Sequence, residues 1–278
     1  MIFKDRNNSF FTFTLMMCLA VFLVTSVHAS FYCYKNPTHT FTYAHVVWDG
    51  KLSKDETRVV YGGGDYLEPY KVVVYDLKSK EKKFCSVHEE PISSVGWGLH
   101  DRSIISASED KTVCIFDIQE KKSNFFQYEG AVNDLIWKEP YKKIFSATEN
   151  GKIYQTDIEK ITSESFQADT KSINAISSTN ENRCIAAGGD SRVVRVWDIR
   201  MPYFGNQINE YNDVGGCIRA IDLSSTHYVA FGGDDKKIYV YDRRKDSEDL
   251  LVREFRHNQG INGLSWQLAK METAVYGI

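Results

Sequence analysis

The sequence predicts an all-β fold assembled from a repeated unit of four short strands. Three observations predict it. Five segments share one pattern of apolar or β-branched residues closing on aspartate: VVVYDL at 72–77, VCIFDI at 113–118, IYQTDI at 153–158, VRVWDI at 194–199 and IYVYDR at 238–243. Their aspartates, Asp76, Asp117, Asp157, Asp198 and Asp242, lie 41, 40, 41 and 44 residues apart, a period that marks a supersecondary repeat. Turn chemistry recurs just upstream, at Glu109-Asp110, Glu149-Asn150, Gly189-Asp190 and Asp234-Asp235, with Gly64-Asp65 in the first unit. Gly, Asp and Asn accept left-handed backbone or bond to their own main chain, so each pair reads as a tight hairpin.

The elements of each unit follow in order. A first strand ends about twenty residues before the aspartate, at Trp97, Trp137, Ser177 and Asp222, and another ends at Trp266 with no aspartate after it. A second strand runs into the turn, and the third is the segment closing on aspartate. Phe125-Phe126, residues 208–211 and residues 250–255 supply a fourth. In the first unit the insertion Tyr66-Leu67-Glu68-Pro69 lengthens the hairpin before the third strand.

Composition excludes several function classes. The 278 residues are 42% hydrophobic and 26% charged, which is ordinary globular composition. Against 34 Lys and Arg stand 37 Asp and Glu, a formal charge of −3, so no overall basic field is available to grip nucleic acid.

The amino terminus has its own character. No Lys, Arg, Asp or Glu occurs between Ser9 and Tyr34, and the segment 10–27, from its first residue Phe10 to its last, Val27, is mostly apolar. Residues 1–30 therefore read as a signal peptide, a membrane anchor or an atypical strand-forming segment, the Phe10-Phe11-Thr12-Phe13-Thr14 run having strand-like composition. Cysteine usage points the other way. Without Cys18 the cysteines are Cys33, Cys85, Cys114, Cys184 and Cys217, odd in number, widely spaced and lacking any C-x-x-C pair. Such free thiols fit a reducing compartment, so the expected location is cytoplasmic or nuclear, with the secretory pathway or a membrane as the alternative.

Four strands in each unit of about 40 residues resemble the WD-repeat family, whose units are the blades of a β-propeller. The likeness runs over residues 43–278. Trp197-Asp198 is the literal dipeptide; Tyr75, Phe116, Thr156 and Tyr241 replace its tryptophan elsewhere. The resemblance implies a hydrogen-bonded structural brace of His88, Ser106 and Asp110, with Phe116 in the tryptophan's place, and Trp197 as the brace tryptophan of its own unit. It also matches His257 to the histidine opening the next blade. It implies five complete blades plus a partial sixth over 261–276. The favoured expectation is a seven-bladed design cut short; the alternative is a six-bladed ring for which residues 31–42 would offer closing strands.

No motif carries chemistry. Gly62-Gly63-Gly64-Asp65, Gly188-Gly189-Asp190 and Gly232-Gly233-Asp234 look like phosphate loops, but each enters a strand rather than a helix N-terminus. Zinc-ligand spacings and nucleophile elbows do not occur. The chain is expected to be no enzyme and to hold no cofactor or metal.

Function is thus expected at exposed loops. The candidates are Tyr66, Leu67, Glu68 and Tyr70 of the insertion, an aromatic cluster of the kind that anchors interfaces, with the alternative that it packs over its own blade. Tyr128-Glu129-Gly130 and His257-Asn258-Gln259 would be neighbours on the face of the insertion only if the ring closes. Loops after the aspartates carry mixed charges, including Lys78, Lys80, Lys82, Lys83, Lys121 and Lys122, and read as solvated. Two of these loops place Arg200 and Arg244 two residues after Asp198 and Asp242. Paired Asp-x-Arg boxes resemble those of substrate receptors of cullin-type ubiquitin ligases, and that resemblance implies docking on a ligase adaptor. The expected function is a scaffold binding other proteins or peptides. The alternatives are the ubiquitin-ligase receptor and a membrane-tethered propeller of the secretory pathway.

Overall fold

The computed structural model describes residues 47–64, 70–178, 183–200, 207–212, 214–224, 227–244, 251–258 and 260–264, and the backbone of 11–15, 20–25, 28–33 and 36–42. They form 24 strands in six four-stranded sheets. The chain divides into two compact units, Tyr43–Thr170 and Met1–Thr42 with Lys171–Ile278.

The first unit holds three sheets, numbered after four amino-terminal strands. Strands β5 (Val47–Leu52), β6 (Arg58–Gly63), β7 (Tyr70–Asp76) and β8 (Lys82–His88) make one. Strands β9 (Ile92–Trp97), β10 (Ser103–Ser108), β11 (Thr112–Asp117) and β12 (Lys122–Gln127) make the next. Strands β13 (Val132–Lys138), β14 (Lys143–Thr148), β15 (Lys152–Asp157) and β16 (Thr162–Gln167) make the third. Each is an antiparallel meander in chain order. Apolar cores lie between neighbouring sheets. Val60, Val72, Val74, Ile92, Val95 and Ile104 form one; Ile105, Val113, Val132, Leu135 and Ile144 belong to another. Burying each such side chain contributes about 1.5–3 kcal/mol, which explains why second and third strands are nearly continuous apolar runs.

The other unit repeats the plan. Strands β17 (Ile173–Ser178), β18 (Cys184–Gly189), β19 (Val194–Asp198) and β20 (Gln207–Tyr211) form a sheet, as do β21 (Ile218–Leu223), β22 (Tyr228–Gly233), β23 (Lys237–Asp242) and β24 (Leu251–Arg256). Tyr211, Phe231, Tyr239 and Tyr241 join the core between them, the Phe231 and Tyr241 rings stacked at 5.3 Å.

The same unit includes β1 (Phe11–Leu15), β2 (Ala20–Thr25), β3 (His28–Cys33) and β4 (Asn36–Thr42), paired in that order. Strands β3 and β4, over the stretch the sequence offered for closing strands, pair with β1 and β2 of the apolar segment. The Thr-Phe alternation of β1 and the apolar β2 have compositions that suit a pleated surface. No helix among the described residues is long and apolar enough to cross a membrane. The partial sixth unit expected at 261–276 lies outside the described residues beyond Leu264.

One feature recurs in all five sheets from β5 onward. The first strand carries an extra residue near its start: Trp48, Ser93, Asn133, Asn174 and Arg219 are skipped in the pairing with the second strand. A bulge re-aims the side chain it carries. Ser93 Oγ donates to the Val132 carbonyl of the next sheet at 2.5 Å, and Asn174 Nδ2 to that of Ile218 at 3.2 Å. First strands are thereby tied sheet to sheet within each unit. Asp49 adds a tie by accepting from Ser94 Oγ and Val95 N–H, both at 3.0 Å.

Candidate functional site

The β10–β11 hairpin positions a densely connected polar group. His88 is fully buried at the end of β8, its Nδ1 2.9 Å from Asp110 Oδ2 and its Nε2 2.8 Å from Ser106 Oγ. Nδ1 must donate, because a carboxylate offers no proton. Asp110 also accepts from Glu89 N–H at 3.0 Å, Thr112 N–H at 2.9 Å and Thr112 Oγ at 2.6 Å. Burial pushes the Asp110 carboxyl up, but the bonds from His88 and Thr112 outweigh it and hold it down at about 2. Ser106, His88 and Asp110 are linked in series, and with Ser106 and His88 both buried the network ties β8, β10 and the β10–β11 hairpin together. Trp197 lies buried in β19, remote in sequence from this network.

The neighbouring sheet does the same work with different residues. Tyr128 follows β12 as His88 ends β8, and its hydroxyl lies 2.6 Å from Thr156 Oγ and 3.5 Å from Ser146 Oγ. Thr156 passes the chain on to Ser163 at 2.9 Å, and the Tyr128 ring stacks on Tyr154 at 4.0 Å. The sequence reading put Tyr128 on an exposed face. It is buried instead, because its ring fills the core between two sheets and its hydroxyl finds partners there. A Tyr-Ser-Thr set shares no side-chain type with His-Asp, so only Ser146, in register with Ser106, could have hinted at it.

The recurring aspartates have a local task. Asp76 Oδ1 accepts the N–H groups of Lys78 and Ser79, Asp117 those of Gln119 and Glu120, and Asp157 those of Glu159 and Lys160. Each caps the turn into the fourth strand, as aspartate does in an Asx turn. Asp198 and Asp242 differ, since each accepts the N–H and also the guanidinium of the arginine two residues on. Arg200 Nε lies 2.9 Å from Asp198 Oδ1, with a further Nη2 bond to Oδ2. Arg244 Nε lies 3.0 Å from Asp242 Oδ1, and Nη2 lies 2.7 Å from Oδ2. The Arg244 bonds hold the Asp242 carboxyl far below the usual range. Both arginine side chains stay more than half exposed, at 51% and 64%. The result is two fixed, outward guanidinium groups at one phase of consecutive sheets.

The insertion candidates separate. Tyr66, Leu67 and Glu68 lie outside the described residues. Tyr70 is half-buried, its ring against Gly64, and packs on the core of its own sheet with Val60 and Val72. The doubled glycines are explained by closeness of backbone. A Cβ on Gly189 would stand 2.0 Å from the Ser172 carbonyl oxygen, and one on Gly233 1.8 Å from that of Cys217. Both end a strand that turns into another strand. Among the described residues no three His, Cys, Asp or Glu side chains are placed to share a metal ion.

Meandering four-stranded sheets repeated at this period are the architecture of WD-type β-propeller blades. Residues 79–117 and 161–198 match the family model of the WD domain, G-beta repeat, so the chain carries WD repeats. The crystal structure of RRP9 WD40 repeats superposes with a TM-score of 0.79 over 95% of this chain and 85% of that one. At 14% identity this likeness establishes the fold alone. Mitotic checkpoint protein bub-3 of Caenorhabditis elegans is 37% identical over 70 residues, 25% of this chain. That match spans 20% of the length of the curated relative.

Proposed function

We propose that this chain is a non-enzymatic scaffold that binds other proteins or peptides through the loops of its WD-type sheets. The observation carrying this reading is where the polar groups are spent. His88, Asp110, Tyr128 and Thr156 serve hydrogen bonds between strands, while fixed side chains such as Arg200 and Arg244 face outward. Rigid sheets presenting pre-ordered groups bind with little ordering cost. A cytoplasmic or nuclear site of action suits the free thiols and the stretch shared with a mitotic checkpoint protein. Affinity purification of the endogenous protein with mass spectrometry tests the scaffold. At least one stoichiometric partner is expected, and repeated recovery of the protein alone would overturn the reading.

The paired arginines favour a second reading, a substrate receptor of a cullin-type ubiquitin ligase. A guanidinium held by its Nε edge keeps donors in a fixed plane, which suits carboxylate or carbonyl groups on an adaptor. The double variant Arg200→Ala, Arg244→Ala is then expected to lose a co-purifying cullin adaptor with melting unchanged. Unaltered recovery, or no adaptor with the wild type, removes this reading.

A further inference from the structure

The β7–β8 hairpin is unlike the others in charge and in exposed surface. Every residue from Lys78 to Phe84 is exposed. Lys71, Lys78, Lys80, Lys82 and Lys83 stand on this hairpin against the carboxylates of Asp76 and Glu81, and that of Asp76 is engaged by two backbone N–H groups. Several lysines elsewhere in the same unit have acidic partners, Lys122 with Glu120, Lys142 with Glu159, Lys152 with Glu129 and Lys160 with Asp157, although Lys121, at the turn position of Lys80, has none among the described residues. Among the described residues Lys78, Lys80 and Lys83 make no ion pair.

Beside these cations the outer strands expose aromatic rings. Phe84 of β8 is 62% exposed, and Phe125 of β12 is 52% exposed. The two hold the same place in consecutive sheets, opposite Val73 and Cys114, each three residues before the capping aspartate. Ser165, Glu210 and Glu254 hold it in the other three. Lys71 Nζ sits 5.4 Å from the Phe84 ring centroid, and the Phe125 ring meets the buried His88 edge-on at 6.0 Å. Exposed phenyl groups next to uncompensated charge are costly in an unbound chain, and aromatic side chains are the usual anchors of interfaces.

We propose that the outer surface of β8 and β12, with the 78–83 turn, docks an acidic partner segment that carries apolar side chains. The lysines attract its carboxylates, and Phe84 and Phe125 receive its apolar groups. An anionic membrane is the other surface that takes lysine and phenylalanine together. The geometry disfavours it, because both rings lie along the flanks of strands and the turn tip, Ser79-Lys80, holds nothing apolar to insert.

This inference rests on the scaffold reading and names the chemistry of one partner. The test uses the full chain and a short fluorescent peptide of Asp and Glu interrupted by paired phenylalanines, followed by anisotropy. Controls are the same peptide with alanine for phenylalanine, its Lys-for-Glu counterpart, and phosphatidylserine vesicles. Wild type is expected to bind the acidic aromatic peptide with an affinity that falls as salt rises. The variant Lys78→Glu, Lys80→Glu, Lys83→Glu and, separately, Phe84→Ser with Phe125→Ser are each expected to weaken it by about tenfold or more with unchanged melting. No binding, equal binding of the basic peptide, variants that bind like wild type, or vesicle binding without peptide binding would each overturn the assignment. In purification from cells, a wild type without any partner refutes the scaffold itself. Partners retained in full by both variants refute this surface alone.

Discussion

Replacing Asp110 with Asn tests whether the His88 network is a structural brace. The amide keeps the shape of the carboxylate but turns one acceptor into a donor, and four donors point at this group: His88 Nδ1, Glu89 N, Thr112 N and Thr112 Oγ. Thr112 Oγ can turn to accept from the new amide, but at least one N–H donor loses its acceptor, so Asp110→Asn should cost about 1–3 kcal/mol. The pH dependence gives a sharper signature. Asp110 is held at about 2, below the ordinary carboxylate value near 3.8, so its contribution is complete above the ordinary value and fades as pH falls toward 2. After discounting for solvent screening at the partly open hairpin, the shift corresponds to about 1–2 kcal/mol. Urea unfolding of both proteins between pH 7 and pH 2.5 reads the difference, and other titrating carboxylates cancel in it. The gap should be full at neutral pH and narrow below about pH 4. A gap under 0.5 kcal/mol at pH 7, or one constant down to pH 2.5, would refute the brace as described.

Tyr128→Phe removes the hydroxyl bonded to Thr156 and should cost about 1–2 kcal/mol in the same unfolding assay; a neutral effect would mean that stacking on Tyr154 alone holds the ring. Ile161 has left-handed backbone, φ 54°, where the two preceding hairpins have Lys80 and Lys121, and its side chain is 70% exposed. Relief of the 1–2 kcal/mol left-handed penalty, less glycine's added chain entropy, predicts that Ile161→Gly stabilises by about 0.5–1 kcal/mol, seen as a higher melting midpoint. Gly189→Ala should destabilise by about 1–3 kcal/mol, because its Cβ would meet main-chain atoms that cannot swing aside, and an unshifted midpoint contradicts the close approach. Burial raises the Cys85 thiol to about 11. Alkylation of native protein followed by mass spectrometry should find Cys85 nearly unmodified at neutral pH, with labelling increasing steadily toward alkaline pH; rapid neutral labelling would show an open site.

Much of this fold was legible because its signals are local. Asp76, Asp117, Asp157, Asp198 and Asp242 mark turns whose geometry needs an acceptor at that one position, so their spacing carries the period. The Glu109-Asp110 and Glu149-Asn150 turns, and the strands on either side, could be placed for the same reason. Arg200 and Arg244 were visible as a pair at one phase, since two residues of separation set both in the same turn.

The remaining features depend on atoms brought together from distant positions. Nothing near Tyr128 in the chain announces Thr156 as its partner, and a hydroxyl network leaves no charge pattern to read. The bulges at Ser93, Asn174 and Arg219 arise from pairing register, which is a property of two strands and not of one. Exposure of Phe84 and Phe125 was likewise hidden, because alternation along a fourth strand does not say which face its neighbours cover. Period, strand order and turn chemistry are thus written in the residues themselves, since each is enforced within a few positions by backbone sterics and hydrogen bonding. Which polar groups are consumed inside, and which lysines and aromatic rings stay exposed, is decided by packing between sheets, where contacts join residues tens of positions apart.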